Sequence, residues 1–286
     1  MSLTQDGQVM VRGLVMGPGT DYIIDSFNPY SRITRAPYSG EDPYGDGGYS
    51  GPEWLEPVQI PLSVHVAGDN PSRWWELHTQ LLQALRPIRD EPLEPELHWR
   101  VGEQDFMMFA RPRVLDANIR NLRTGDVTNA CSLLALDPST YSGGENGLHS
   151  VELKQVGSTG GISAPVSAPV YVHSVVTEGR AEITNAGIEP TSMYLRIYGP
   201  VVQPKIMVVA PGGLVYTFWI DITLTASQWV LVDTAAEEVL LNGTSTRLSD
   251  AKGSFPLLYP GTSTVEFRAG ALSPDARAVI EWRDRW

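Results

Sequence analysis

The 286-residue sequence has one cysteine, Cys131, so no disulfide can form within a chain and a disulfide-stapled secreted scaffold is excluded. Basic residues are scarce. The 21 Lys+Arg stand against 33 Asp+Glu, a formal net charge of −12. Nucleic acid and anionic lipid are recognised by clustered Lys and Arg, so neither fits as a surface ligand. Charged residues of both signs reach only 19%, below the ~25% of an average domain. No apolar run approaches the ~18 residues of a transmembrane helix, and no membrane insertion is expected. The N-terminus, Met1-Ser-Leu-Thr-Gln-Asp-Gly-Gln8, has neither a basic nor an apolar stretch, so no signal peptide is expected.

Catalytic motifs are missing as well. His65, His78, His98, His149 and His173 have no metal-ligand spacing among them, and no Cys-x-x-Cys exists. Each histidine reads as solvated or hydrogen-bonded. Cys131, in the apolar stretch Asn129-Ala-Cys-Ser-Leu-Leu-Ala135, reads as a buried, inert thiol. There is no Gly-x-Ser-x-Gly elbow, phosphate-binding loop or dinucleotide fingerprint. Gly45-Asp-Gly-Gly-Tyr-Ser-Gly51 has no lysine and no helix after it, and Glu41, Asp42 and Asp46 lack calcium-loop spacing. Glu237-Glu238 reads as a solvated turn. The sequence assigns no catalytic, cofactor or metal residues, and the chain is expected not to be an enzyme.

What is present is material for two cores. Hydrophobic residues make up 42%, and Gly (27) and Pro (22) are abundant, which favours short strands and turns. One helix is expected over 70–86. Asn70 suits the N-cap and Pro71 the first helical position, and Trp74, Leu77, Leu81 and Leu85 follow helical spacing with Leu82 alongside. Arg86-Pro87 closes it. Val58, Ile60, Leu62, Val64 and Val66 alternate with polar residues, as a half-buried strand does, and Pro61 suggests an edge or a bulge. Hairpins are expected across Gly102–Asp105 and Thr234–Glu238. Tyr216 to Leu224 alternates like a strand, and the final strands fall at Val265–Phe267 and Ala278–Trp282.

The expected fold is mainly β, with two antiparallel β-sandwich domains. Residues 1–136 form the first, carrying the helix at 70–86. Residues 137–169, which include Gly157-Ser-Thr-Gly-Gly-Ile-Ser-Ala-Pro-Val-Ser-Ala-Pro169, read as a linker, and 170–286 form the second domain. One segment has no room for a core strand. Residues 36–54 are rich in glycine and carry Tyr38, Tyr44, Tyr49 and Trp54, the composition of an adaptable contact surface. These four are the candidate subunit-interface residues.

Several motifs occur in a telling order. They are Ala130-Cys-Ser-Leu-Leu-Ala-Leu-Asp-Pro-Ser-Thr-Tyr141, the Gly/Pro stretch, Ala181-Glu-Ile-Thr-Asn-Ala-Gly187 and Tyr194-Leu-Arg-Ile-Tyr-Gly-Pro200. Leu231-Val-Asp-Thr234 follows with Val239-Leu-Leu-Asn-Gly243, then Leu258-Tyr-Pro-Gly261 and Trp282-Arg-Asp-Arg-Trp286. Together they resemble the distal tail proteins of long-tailed bacteriophages, in particular the minor tail proteins of phages infecting actinobacteria. The resemblance implies an N-terminal β-sandwich that closes into a homo-oligomeric ring, a hexamer, and a galectin-like C-terminal β-sandwich. It implies a virion protein of the tail tip or baseplate, made in the host cytoplasm. The ring would join the tail tube protein to the tail-tip hub protein, with the tape measure protein or side fibres as further neighbours. Genomic DNA would only pass through its channel, where acidic walls would repel phosphate. Two other readings stay open. One is a carbohydrate-binding or receptor-binding tail-tip module, since the chain has eight tryptophans. Trp219, Trp229 and Trp282 lie in the C-terminal half, although Trp219 is expected to pack, partly buried. The other is a glycosidase with dispersed carboxylates.

Overall fold

The computed structural model describes residues 3–87, 94–117, 126–154, 179–270 and 275–286. Its contacts divide into two units, Met1–Gly147 and Leu148–Trp286. The helix of the first unit spans Pro71–Ala84, two turn-ends inside the expected limits. Asn70 caps it by accepting the Arg73 backbone N–H at 2.9 Å, and Leu85 N–H closes the last turn on Leu81 O. Trp74, Leu77, Leu81 and Leu85 are buried, as the spacing predicts, while Leu82 is left exposed at the edge of the stripe. His78 is also buried, not solvated, with its ring stacked on Trp74 at 4.7 Å.

Two antiparallel sheets face this helix and each other's apolar sides. One has the strand order 141–142, 104–109, 96–101, 9–11, 14–16, and the other 111–117, 126–135, 58–67, 22–27. Val58, Ile60, Leu62, Val64 and Val66 point into the core with Leu97, Trp99, Met108 and Leu133. Pro61 corrects the expectation of an edge strand, because 58–67 is flanked on both sides. Its carbonyl accepts Asn28 N–H at 3.4 Å, so its backbone faces the side where strand 22–27 has already ended at Phe27. No ladder partner is lost there. A bulge lies in the neighbouring strand, between Ile24 and Ser26, and another irregularity falls between Pro112 and Val114 in strand 111–117. The first hairpin turns tighter than expected. Val101 pairs with Gln104, and Gly102 and Glu103 both take positive φ, +60° and +66°, as a two-residue primed turn demands.

The second unit has a six-stranded sheet, ordered 148–154, 277–283, 193–198, 229–233, 238–241, 245–246, and a five-stranded sheet, ordered 179–185, 261–268, 205–209, 215–220, 251–253. Leu195, Ile197, Val230, Val232 and Ile280 of the first share a core with Ile206, Val208, Phe218, Val265 and Phe267 of the second. The 229–233/238–241 hairpin and the two final strands lie where the sequence places them. The long strand expected to Leu224 breaks after Ile220, and Thr223–Leu224 pairs with Val201–Val202 instead. Part of the stretch expected as a linker, 137–169, has structure of its own. Leu148–Lys154 is a strand paired along its length with Arg277–Arg283, and Leu153 is buried. Residues 137–147 belong to the first unit. The Gly/Ser/Pro stretch 157–169 and His173 lie outside the described residues.

Cys131 lies in strand 126–135 with 5% of its surface exposed, and burial pushes its thiol up to about 12, so it stays protonated and unreactive. Trp74 is 3% exposed and Trp75 61%, on the same helix. Trp74→Ala should therefore lower stability by about 3–5 kcal/mol, and Trp75→Ala by no more than about 0.5 kcal/mol. Urea unfolding followed by near-ultraviolet circular dichroism measures both. Comparable costs would refute the assigned helix face.

Loss of water around His78 holds its imidazole below the ordinary 6.5, so the fold favours the neutral ring. As pH falls below 6.5 the unfolded chain takes up a proton that the native ring resists, and stability drops. His78→Phe should flatten this fall between about pH 8 and about pH 5. An identical pH profile for the variant would show that His78 titrates alike in both states.

Candidate functional site

From residue 30 to residue 57 no side chain is buried, so this stretch cannot be held by a core. It is ordered by its own backbone, as a two-tier ribbon. In the lower tier Thr34–Arg35 pairs with Trp54–Leu55, and Glu56 N–H reaches Ile33 O at 2.9 Å. In the upper tier Gly40–Glu41 pairs with Gly48–Tyr49. Between them Ser39 Oγ accepts Gly51 N–H at 3.1 Å. Asp42 makes the tip: its N–H donates to Gly47 O at 3.0 Å and its carboxylate accepts Tyr44 N–H at 2.9 Å. Glycine is needed where the two legs touch. A Cβ on Gly51 would stand 2.6 Å from Tyr38 Cβ, and one on Gly48 would stand 2.6 Å from Gly40 O. The long loop expected from composition is thus a narrow β-arm.

The arm divides the four candidate aromatics. Tyr38 and Trp54 meet edge to face at 5.9 Å, with Arg35 placed 6.0 Å over the Trp54 ring. Tyr49 lies across Gly40, whose added Cβ would meet its hydroxyl at 2.9 Å. Tyr44 stands alone at the tip, 98% exposed. All four remain open to solvent, at 64%, 98%, 60% and 44% for Tyr38, Tyr44, Tyr49 and Trp54. Aromatic rings this exposed carry apolar area that only another surface can cover.

The root of the arm is fixed by residues that the sequence reading did not single out. The Tyr30 hydroxyl accepts the Trp99 indole N–H at 3.0 Å, and their rings meet edge to face. The Arg32 guanidinium donates to Thr140 Oγ1 at 3.1 Å and to Pro138 O. The receiving segment is held by Asp137, whose carboxylate accepts Ser139 N–H and the Tyr141 hydroxyl, each at 3.0 Å. The motif Asp137-Pro-Ser-Thr-Tyr141 is therefore a clamp for the arm root. A lone arginine flanked by Tyr30-Ser31 and Ile33 carries no pattern that reveals such a role.

No protein-family model matches the chain, and no curated protein sequence does. Solved structures do match. The crystal structure of the phage SPP1 Dit protein (gp 19.1) superposes with a TM-score of 0.63 at 10% identity, covering 98% of each chain. The phage P2 baseplate in its activated conformation with calcium gives 0.55 at 10% identity over 97% of each chain. Its strontium form gives 0.54 at 11% over 96% of each. At such identities the likeness concerns the fold, and it extends over nearly the whole chain.

Because the arm shares no core, deleting residues 40–50 should leave the folded units intact. Thermal unfolding of the deletion protein should match wild type to within a few degrees. Loss of the main unfolding transition would show that the arm supports the core after all. Arg32→Ala should instead loosen the root, seen as faster protease cleavage between residues 33 and 56.

Proposed function

We propose that this chain is a structural hub of a phage tail tip, acting by assembly and not by catalysis. The observation that carries this reading is the two-unit fold, shared over 98% of the chain with the SPP1 Dit protein, a hub of the adsorption apparatus in phages infecting Gram-positive bacteria. In the proposed arrangement the first unit closes into a homo-oligomeric ring of six. The ring joins the tail tube to the tip proteins and leaves a channel through which DNA passes, and the second unit is the galectin-like one. The β-arm supports this reading. A closed ring uses one head-to-tail joint repeatedly, so each subunit needs two different complementary patches. The helix and both sheets of the first unit already bury their apolar faces in their own core. The arm carries aromatic area that nothing among the described residues covers, and it serves as one of the two patches, with Tyr38, Tyr44, Tyr49 and Trp54 as its anchors.

Native mass spectrometry of the full chain tests this. Wild type should form a closed oligomer, six copies in the proposed form. The protein lacking 40–50 should remain folded yet fall to monomers or open fragments. Tyr44→Ala should weaken each joint by about 2 kcal/mol if it behaves as an interface hot spot. A wild-type chain that stays monomeric at high concentration contradicts the ring, and a deletion protein that assembles normally contradicts the role of the arm.

A further inference from the structure

The outward face of the five-stranded sheet in the second unit breaks two local rules. Strand 215–220 turns Phe218 and Ile220 into the core, so Trp219 points outward; it is 39% exposed, partly buried as the sequence suggested, with one face open. The register sets three cations in line with it. Lys252 is directly opposite Trp219 on one side, Lys205 on the other, and Arg268 is opposite Lys205 on the next strand. Strands lie ~4.8 Å apart, so the row Lys252–Trp219–Lys205–Arg268 runs ~14 Å across the sheet. Like charges directly opposite one another destabilise a sheet, and Lys205 faces Arg268 with no acid between them. A half-exposed tryptophan flanked by two lysines that no described carboxylate pairs, in a chain of net charge −12, is the kind of local inconsistency that a binding surface explains.

The carboxylates nearby engage Arg268 but leave both lysines of the row unpaired among the described residues. Glu266 is shared between two guanidiniums, at 2.6 Å from Arg268 and 3.9 Å from Arg180, which leaves that trio one positive charge in excess. Asp250 pairs with Arg247 at 3.7 Å, and Asp221 accepts the Gln203 amide at 2.7 Å. Glu182 is exposed one row further on, opposite Thr264. Lys252 bonds the Ser249 carbonyl, and among the described residues neither lysine has a carboxylate partner. The indole is positioned as well: a Cβ on Gly253 would come within 3.3 Å of its Cζ3, so the glycine lets the ring lie close against strand 251–253.

We propose that this row binds an anionic glycan. A sugar ring stacks on Trp219, and negative groups on either side of it pair with Lys252 and with the Lys205–Arg268 side. Cations on both flanks of one aromatic platform match a glycan with repeated charges, such as a phosphodiester-linked polymer, better than a single neutral sugar. This goes beyond the hub role and does not depend on ring formation.

The test is direct binding of the full chain, by isothermal titration or surface plasmon resonance, to three probes. These are a phosphodiester-linked glycan polymer of the teichoic acid type, neutral dextran and inorganic polyphosphate. The glycan polymer should bind, with affinity falling steeply as salt rises. Dextran should bind at least tenfold more weakly. Trp219→Ala, Lys205→Gln and Lys252→Gln should each weaken binding of the glycan polymer by roughly three- to tenfold, with Trp219→Phe retaining part of it. All four side chains are at the surface, and thermal unfolding reports whether each variant is folded. If the Trp219 variants misfold, the two lysine variants decide. No binding of the glycan polymer overturns the proposal. So does polyphosphate binding as tightly as the glycan polymer with no loss in Trp219→Ala, which would make the row a plain cation patch. Glycan binding indifferent to all the substitutions overturns it too, as would a finding that the row docks only acidic protein.

Discussion

The inward commitment of the alternating apolar residues governs this chain. Strand 58–67 turns Val58, Ile60, Leu62, Val64 and Val66 onto the helix face of Trp74, Leu77 and Leu81, and the second unit does the same with Ile206, Val208, Phe218 and Ile220. Side chains in a strand have period two, so this choice also decides what must face outward. Phe218 inward puts Trp219 outward, and the register then puts Lys205 and Lys252 beside it. In the first unit the same commitment leaves residues 30–57 with no core to join. Their order comes from backbone pairing, from glycines where the legs touch, and from the Arg32 and Tyr30 contacts at the root.

Much of this was legible in the sequence, and for clear reasons. The helix carried both a cap and a stripe, Asn70-Pro71 before Trp74, Leu77 and Leu81, so local and tertiary signals agreed. The strand at 58–67 and the 229–241 hairpin were equally consistent. The strand Leu148–Lys154 was not legible, because its only buried residue is Leu153, set among His149, Ser150, Glu152 and Lys154. Pro61 misled because the end of strand 22–27, which frees its backbone, is a long-range fact. Trp219 is partly buried, as expected, against Gly253, but the face it shows to solvent was not singled out. Its outward direction follows from its neighbours' alternation, which the sequence already contained.

For the candidate site, composition identified the segment and its four aromatics but not its form. Glycine density suggested a loose loop, yet Gly48 and Gly51 serve close approach between two legs. Arg32 and Asp137 lie more than a hundred residues apart, and nothing local to either announces that they share the Pro138–Thr140 segment. The Asp137-Pro-Ser-Thr-Tyr141 run, which helped suggest a phage tail protein, has a physical task of its own in holding the arm root.

The two exposed features divide the chain's surface into different tasks. The arm offers exposed aromatic area suited to a protein surface, and the Trp219 row offers cations in an otherwise acidic chain. In the proposed hub, the first serves assembly. Electron microscopy of phage tails that contain this chain tests the central claim most directly. The account predicts six copies in a ring between the tail tube and the tip, with each 33–56 arm lying on a neighbouring subunit or an adjoining ring. Finding the chain outside the tail axis, or in the axis with every arm free in solvent, would contradict it.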